Sequence, residues 1–169
     1  MSDPTRRLAL RRTRDNIARN RGVLCFSADW RDPVIWAHYS DKHRGLCLGF
    51  EIPDETSQRV TYVPRRLKLP VRPALADANA LLFTKFISWD YEQEIRVWAE
   101  LRQRENGRYF KDFDDSLKLF KVIAGARCSL PEDSILAAIG ESLQGVDIIR
   151  ARAGFKKFEV VKDRRGFAK

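Results

Sequence analysis

The chain has 169 residues, which suits one domain built around one hydrophobic core. Hydrophobic residues make up 44% of the sequence, so a disordered polar chain is excluded, and no apolar run approaches the ~20 residues of a membrane span. Of the net charge of +9, residues 1–21 carry +5 and residues 150–169 carry +6, which leaves −2 for the stretch between them.

The order of helix-like and strand-like segments indicates the fold class. In chain order, the sequence predicts a helix over 5–20, a strand over 23–27, a helix over 32–43, strands over 46–52 and 58–63, a helix over 74–88, strands over 92–101 and 117–124, a helix over 129–143, and a final hairpin of 146–151 with 158–162. Hairpins rather than regular strand–helix–strand units predict an α+β fold with a mixed, mainly antiparallel sheet and three to four helices.

Several of these segments carry more detailed expectations. The 23–27 strand is apolar almost throughout, so we expect it to be buried on both faces. The 46–52 and 58–63 strands are expected to form a hairpin, and Asn106-Gly107 is typical of a hairpin turn. The first residues of the 129–143 helix include acids, with Ser129 or Leu130 as the expected cap.

The helix over 32–43 has clear end signals and an aromatic face. Asp32 is the expected N-cap, proline follows it, and Gly45 fits the left-handed position after the helix. Trp36 and Tyr39 share one face and are most simply core anchors. His38 points away from them, either to the surface or into a cleft.

The predicted organisation has three parts: a basic N-terminal helix over 1–21, a single α+β domain over 22–163 and a basic tail over 164–169. The N-terminus has no apolar signal-peptide segment, because seven arginines interrupt it, so we expect a cytoplasmic protein with no membrane partner. An exposed sheet edge would favour a homodimer.

The cysteines and histidines predict no metal site. The three cysteines are far apart, there is no CxxC, and only two histidines are present, so the paired ligands of a zinc site are lacking. Buried free thiols are the simpler interpretation of Cys25, Cys47 and Cys128. A catalytic thiol at Cys25 is the alternative, although the sequence shows no base beside it.

Two glutamates form the main candidate site. On a strand over 92–101, Glu92, Glu94 and Arg96 share one face. Two such carboxylates can raise one another's pKa and suit acid–base or ribose-binding chemistry, although Arg96 beside them would oppose that rise. The nearby Trp89 and Tyr91 are suited to wall a pocket. The alternative is a structural ion pair of Glu94 with Arg96 or with Lys85.

The basic ends form a second candidate site. Arg11 and Arg12 in the N-terminal helix, with Lys156 and Lys157 in the last hairpin, are candidate contacts to nucleic acid or to an acidic protein. The alternative is a solvated basic face that keeps the protein soluble.

The chain also contains a set of short motifs in a characteristic order. CFS at 25–27 is followed by WxHYxDxHxGxCxGF at 36–50, VxY at 60–62, WxYExExR at 89–96 and KxIAGxRCS at 121–129. Their order resembles a bacterial family catalogued as domain of unknown function 2971. Members of that family usually carry a longer N-terminal half with a strand and an Asn-Asp-Pro turn. No such pattern precedes Arg21, so the resemblance implies a compact variant, or a site with a part missing.

A second resemblance supplies a candidate activity. Glu92-x-Glu94 and the Phe26-Ser27 strand end are similar to elements of ADP-ribosyltransferases, which implies an ADP-ribosyltransferase-like fold and NAD as cofactor. The resemblance implies that Glu94 is catalytic and that Glu92 orients the acceptor. It further implies that Ser27, Trp36 and Tyr39 shape the nicotinamide pocket.

In the same comparison Arg96 is a cofactor-binding residue, and Arg21 is the nearest arginine to hold NAD. Two functions therefore stay open from the sequence. The first is a NAD-using transferase, such as an effector, a toxin or a phage-defence protein. The second is a non-catalytic module that binds nucleic acid or protein through its basic ends.

Overall fold

The structure, a computed structural model, describes residues 21–68, 70, 75–102, 104–140 and 145–167, with positions 4, 5, 7, 8, 11, 12 and 15 near the N-terminus. The helices that follow this segment are α1 Pro33–Tyr39, α2 Leu75–Leu82 and α3 Glu132–Ile139. The strands are β1 Arg21–Ser27, β2 Leu46–Glu51, β3 Ser57–Arg59, β4 Thr61–Val63, β5 Thr84–Phe86, β6 Glu94–Glu100, β7 Arg104–Glu105, β8 Arg108–Tyr109, β9 Lys118–Ala124, β10 Asp147–Ala153 and β11 Val160–Lys162. The described positions of the N-terminal segment are helical, as the sequence predicts.

One sheet of four strands, in the order β11-β10-β9-β2, forms the core. The apolar strand β9 lies inside it, antiparallel to β2 and parallel to β10, and α3 lies in the connection between the two parallel strands. Alternate side chains of β9 enter two hydrophobic clusters: Ile123 packs with Trp36 of α1, and Val122 lies in the cluster that includes Ile135 of α3. Each fully buried aliphatic side chain of this kind stabilises the fold by roughly 1.5–3 kcal/mol.

A second sheet of three strands has the order β1-β6-β3, with antiparallel pairing throughout. In this register Ser27 lies opposite Glu94 and Cys25 lies opposite Arg96. The α+β fold with mainly antiparallel sheets is confirmed. The prediction that the 23–27 strand is buried on both faces is wrong, because β1 is an edge strand and Cys25 is exposed.

Two element predictions in the middle of the chain are also wrong. The strand expected over 58–63 is divided into β3, which pairs with β6, and β4, which pairs in parallel with β5, so no hairpin with β2 forms. Val60 is buried between the two short strands. The helix expected over 74–88 ends at Leu82, and the β-branched Thr84 begins β5.

The end of α1 also differs from the expectation. Asp32 caps the helix by accepting from the Val34 and Ile35 amides, as predicted, but the helix ends at Tyr39. The left-handed residues are 41–43, each with positive φ, and Gly45 is not among them. Gly45 instead lies close to the chain at Ser40, where a Cβ would be 3.2 Å from the carbonyl oxygen, a tight contact.

The last third of the chain largely follows the prediction. The hairpin of β10 and β11 forms around Gly154, and the β7–β8 turn has Asn106 and Gly107 at φ 48° and 81°. The expected cap at Ser129 or Leu130 is wrong, because Pro131 occupies the N-cap position and makes no side-chain cap bond. In the part of the chain that is described, no helix is long and apolar enough to cross a membrane.

Candidate functional site

A short turn brings the two glutamates together. Glu92 is the last residue of a 3-10 segment, Ile87–Glu92, rather than part of a strand, and Glu94 is the first residue of β6. Gln93 between them is left-handed, with φ 42° and ψ 49°. This reversal leaves both carboxylates facing Lys85 of β5, which the early end of α2 places on a strand.

The two glutamates, Lys85 and Arg96 form a closed group of ion pairs, here called the carboxylate cluster. Lys85 Nζ pairs with Glu92 Oε2 and lies 3.2 Å from Glu94 Oε2. Arg96 holds Glu94 with two hydrogen bonds, from Nε to Oε1 at 2.8 Å and from Nη2 to Oε2 at 3.1 Å. Both glutamates are nearly inaccessible, at 4% and 6% exposed. The structural ion pair, one of the alternatives left open by the sequence, is therefore present with both of its candidate partners.

The charges around Glu94 determine its ionisation. Burial opposes the charged form, but hydrogen bonds from Arg96, Cys25 and Lys85 outweigh it and hold the pKa of Glu94 at about 2. The carboxylate pair thus does not raise the pKa of Glu94, because the opposing effect expected of Arg96 outweighs it. Burial likewise opposes the charge of Lys85, yet its two glutamate partners raise its pKa. Glu94, Lys85 and Arg96 therefore all keep their charges at neutral pH, because each pKa is shifted in favour of the charged form.

Cys25 lies beside Glu94, a neighbour that the sequence did not reveal. The expected burial of Cys25 is wrong, whereas Cys128 is buried as predicted and Cys47 is half-buried. Desolvation of the Cys25 thiol, followed by its hydrogen bond to Glu94 and the charge of that carboxylate, raises its pKa to about 11. A thiol with this pKa stays protonated at neutral pH, and a carboxylate with a pKa of about 2 is a weak base toward it.

Tyr39 joins the cluster from α1. Its hydroxyl donates to Glu92 Oε1 at 2.7 Å, and this hydrogen bond, with some desolvation, raises the pKa of Tyr39 to about 12. The residue is 65% exposed, so the expectation of a core anchor is wrong for Tyr39 and confirmed for Trp36, which is 2% exposed. The Trp36 indole donates a hydrogen bond to the Trp30 carbonyl. The cofactor contacts expected of Trp36 and Tyr39 stay predictions.

Ser27 and Arg21 occupy opposite ends of β1. The Ser27 hydroxyl donates to the Asp29 carbonyl and accepts from the Asp29 amide, so it stabilises the turn that follows β1. In the β1–β6 ladder, Ser27 is the residue opposite Glu94. Arg21 lies six residues away along the strand, about 20 Å at the usual rise, and its guanidinium packs over Trp98.

An aromatic patch flanks the carboxylate cluster; we define it as His38, Tyr39, Trp89 and Tyr91. The His38 ring lies 6.3–6.5 Å from the other three rings. His38 is exposed, which is one of the two positions expected for it, but the expectation that it points away from Tyr39 is wrong. Lys85 Nζ lies 4.8 Å from the centre of the Trp89 ring. Trp89 and Tyr91 thus lie near the glutamates, with Lys85 under the Trp89 ring, and their role as the walls of a pocket stays a prediction.

The basic candidates lie elsewhere. Arg11 and Arg12 are helical and exposed, and Lys156 and Lys157 are exposed in the turn between β10 and β11. The flanking Phe155 and Phe158 are 92% and 102% exposed, a feature that the sequence analysis missed. Two aromatic residues next to lysines directly after a turn glycine were the available signal.

The structure shows two further features of the site. Tyr62 was not singled out by its sequence pattern, yet its hydroxyl accepts a hydrogen bond from the Glu94 amide at 2.8 Å. Among the described residues, no group of three or more histidine, cysteine or acidic side chains is arranged to hold a metal ion.

Comparison of the chain with protein-family models, with curated proteins and with solved structures gave no match. The resemblance to domain of unknown function 2971, and that to ADP-ribosyltransferases, therefore remain predictions from the motifs quoted above.

Proposed function

We propose that this protein is a nucleic-acid-binding module that engages its partner through the hairpin of β10 and β11. The observation that carries the proposal is the exposure of Lys156 and Lys157 at the tip of this hairpin, where neither forms an ion pair with any described residue. A pair of exposed, uncompensated cations is suited to the phosphates of a nucleic acid.

The charge around the hairpin supports the same function. Residues 150–169 carry a net charge of +6, and the exposed residues among them include Lys162, Arg164 and Arg165 in addition to the two tip lysines. Arg165 is engaged with Asp163, so part of this charge is compensated locally. A basic surface of this kind attracts a polyanion over about 10 Å at 0.1 M salt.

The carboxylate cluster has a structural role in this account. Its two carboxylates and two cations are paired with one another, and Arg96 also donates to the Leu82 carbonyl. These bonds connect β5, β6 and the end of α2. A buried cluster in which each charge has a partner holds chain segments together and leaves little hydrogen-bonding capacity for a ligand.

The proposal is tested by fluorescence anisotropy of a labelled oligonucleotide titrated with the full chain at several salt concentrations. Lys156→Glu combined with Lys157→Glu is expected to weaken binding and to reduce the salt slope by about 1.4 for a single strand, about 0.7 for each lost phosphate contact. The matched control is Arg104→Glu combined with Arg108→Glu, which makes the same charge change on the exposed β7–β8 hairpin. Equal losses in the two double variants would contradict a site at the β10–β11 tip.

A second candidate function is a NAD-using transferase, in which Glu94 binds the nicotinamide ribose. The aromatic patch favours it, because exposed rings beside buried carboxylates are suited to stack on a flat heterocycle. Such a reaction requires Lys85 or Arg96 to release a Glu94 oxygen to the ribose. Calorimetric titration with NAD at low salt tests it: saturable binding that is lost in Glu94→Gln and in Trp89→Ala supports a transferase, and the absence of heat counts against it.

A further inference from the structure

The tip of the β10–β11 hairpin presents two aromatic rings to solvent. Phe155 is 92% exposed and Phe158 is 102% exposed, whereas no other large hydrophobic side chain in the described ranges exceeds 67%. Folding does not bury these rings, and apolar groups that lie together on the surface and are flanked by polar residues are typical of an interaction site. Their exposure on either side of Lys156 and Lys157 calls for a ligand that pairs flat apolar surface with negative charge.

Two backbone hydrogen bonds brace the tip. The Gly154 amide donates to the Glu159 carbonyl at 2.7 Å, and the Glu159 amide donates to the Lys157 carbonyl at 2.9 Å. A Cβ at position 154 would lie 2.9 Å from the Glu159 oxygen, so glycine is required for this close approach. The rings are thus presented from a turn closed by hydrogen bonds at both ends, which lowers the entropy lost when a ligand binds.

The base of the hairpin is anchored to the core. Val160 and Ala151 are each 1% exposed in the hydrophobic cluster that contains Trp36. Arg31, next to the start of α1, pairs with Glu159 at 2.8 Å. The tip therefore projects from a rigid support rather than from a loose loop.

Arg152 distinguishes between the chemical classes of ligand. Its guanidinium lies 4.7 Å from the centre of the Phe155 ring. Insertion of Phe155 into lipid would carry this charge towards the hydrocarbon, which is costly. A nucleic acid has no such cost, because guanidinium groups stack with bases and pair with phosphates.

We propose that the hairpin tip binds single-stranded nucleic acid, with Phe155 and Phe158 stacking on unpaired bases while Lys156 and Lys157 contact the intervening phosphates. This inference rests on the proposed nucleic-acid function and specifies the form of the ligand. Bases in a duplex are already stacked and paired, so a ring reaches them there at the cost of unstacking a base step. A single strand offers its bases without this cost, which favours it as the ligand of flat rings on a short turn.

The test compares a labelled oligo(dT) of about 16 nucleotides with a duplex of the same length, each titrated with the full chain. Phe155→Ala and Phe158→Ala are each expected to weaken single-strand binding roughly five-fold or more, with little change for the duplex, and Phe155→Trp is expected to retain it. Phe110→Ala, at another exposed ring, is the matched control and is expected to change neither. Because the tip rings lie outside the core, the melting temperatures of the variants should equal that of the wild type.

The possible results separate this inference from the proposed function. If the lysine reversal weakens binding while the phenylalanine variants bind both ligands as the wild type does, stacking is overturned and nucleic-acid binding stands. Equal losses on single strand and duplex would also overturn stacking on unpaired bases. If the wild type binds neither the single strand nor the duplex, both proposals are overturned. Both are also overturned if the wild type binds phosphatidylglycerol vesicles and no oligonucleotide, and Phe155→Ala loses the vesicle binding.

Discussion

Replacement of Glu94 by glutamine tests whether the carboxylate cluster holds the fold together. The pKa of Glu94 is about 2 against an ordinary value of 4.5, and at about 1.4 kcal/mol per pKa unit this corresponds to about 3 kcal/mol in favour of the ionised carboxylate. Solvent at the partly exposed Lys85 and Arg96 side chains screens part of this energy. We therefore expect Glu94→Gln to lower the free energy of unfolding by about 2 kcal/mol.

Thermal denaturation measures this change directly. For a chain of this size, a loss of about 2 kcal/mol lowers the melting temperature by roughly 4–8 °C. The matched control is Glu100→Gln on the same strand, whose pair with Arg102 is exposed on both sides and should contribute less than about 0.5 kcal/mol. If Glu94→Gln melts like Glu100→Gln, the cluster does not stabilise the fold, and Glu94 is available for chemistry.

The pH dependence of stability gives a second readout of the same cluster. Because the pKa of Glu94 is lower in the folded state than in the unfolded state, its contribution is complete above about pH 5 and is lost as the pH falls toward 2. Glutamine does not titrate, so the difference in stability between wild type and Glu94→Gln should shrink over this range. A difference that stays constant down to pH 2 would contradict the ion-pair account.

Two further predictions concern groups that contact the cluster. Cys25, with a pKa of about 11, should be alkylated more slowly than free cysteine at neutral pH despite its exposure. In Glu94→Gln its alkylation should be several-fold faster than in the wild type. Peptide mass spectrometry measures the rate, and alkylation of wild-type Cys25 as fast as free cysteine would refute the pKa shift. The hydrogen bond to Glu92 should place the phenolate step of Tyr39 near pH 12 in an ultraviolet titration, and Tyr39→Phe should remove that step. Tyr109→Phe should leave the step in place. Persistence of the step in Tyr39→Phe would contradict its assignment to Tyr39.

Those parts of the fold that depend on local patterns were predictable from the sequence. The apolar run over 117–124 correctly indicated a central strand, because both faces of β9 are covered by the hydrophobic clusters. Asp32 and the Asn106-Gly107 turn were likewise correct, since capping and positive φ depend on a few adjacent residues.

The geometry of the candidate site was less predictable, because it depends on contacts between distant segments. Helical composition continued to Ser88 in the sequence, so Lys85 was placed on a helix, although pairing with β4 makes it part of a strand. The left-handed turn at Gln93 has no glycine or asparagine to signal it. For the exposure of Phe155 and Phe158 the sequence offered one signal, their position next to lysines after a turn glycine. Periodicity did not help, because it marks apolar residues without showing which of them lack a packing partner.

The most direct test of the central claim is an NMR titration of the isotopically labelled chain with a single-stranded oligonucleotide, observed through the backbone amides. The account predicts that the largest shifts lie at residues 154–159 of the β10–β11 hairpin and that they disappear when Lys156 and Lys157 are changed to glutamate. Shifts confined to the aromatic patch, or no shifts at all, would contradict it.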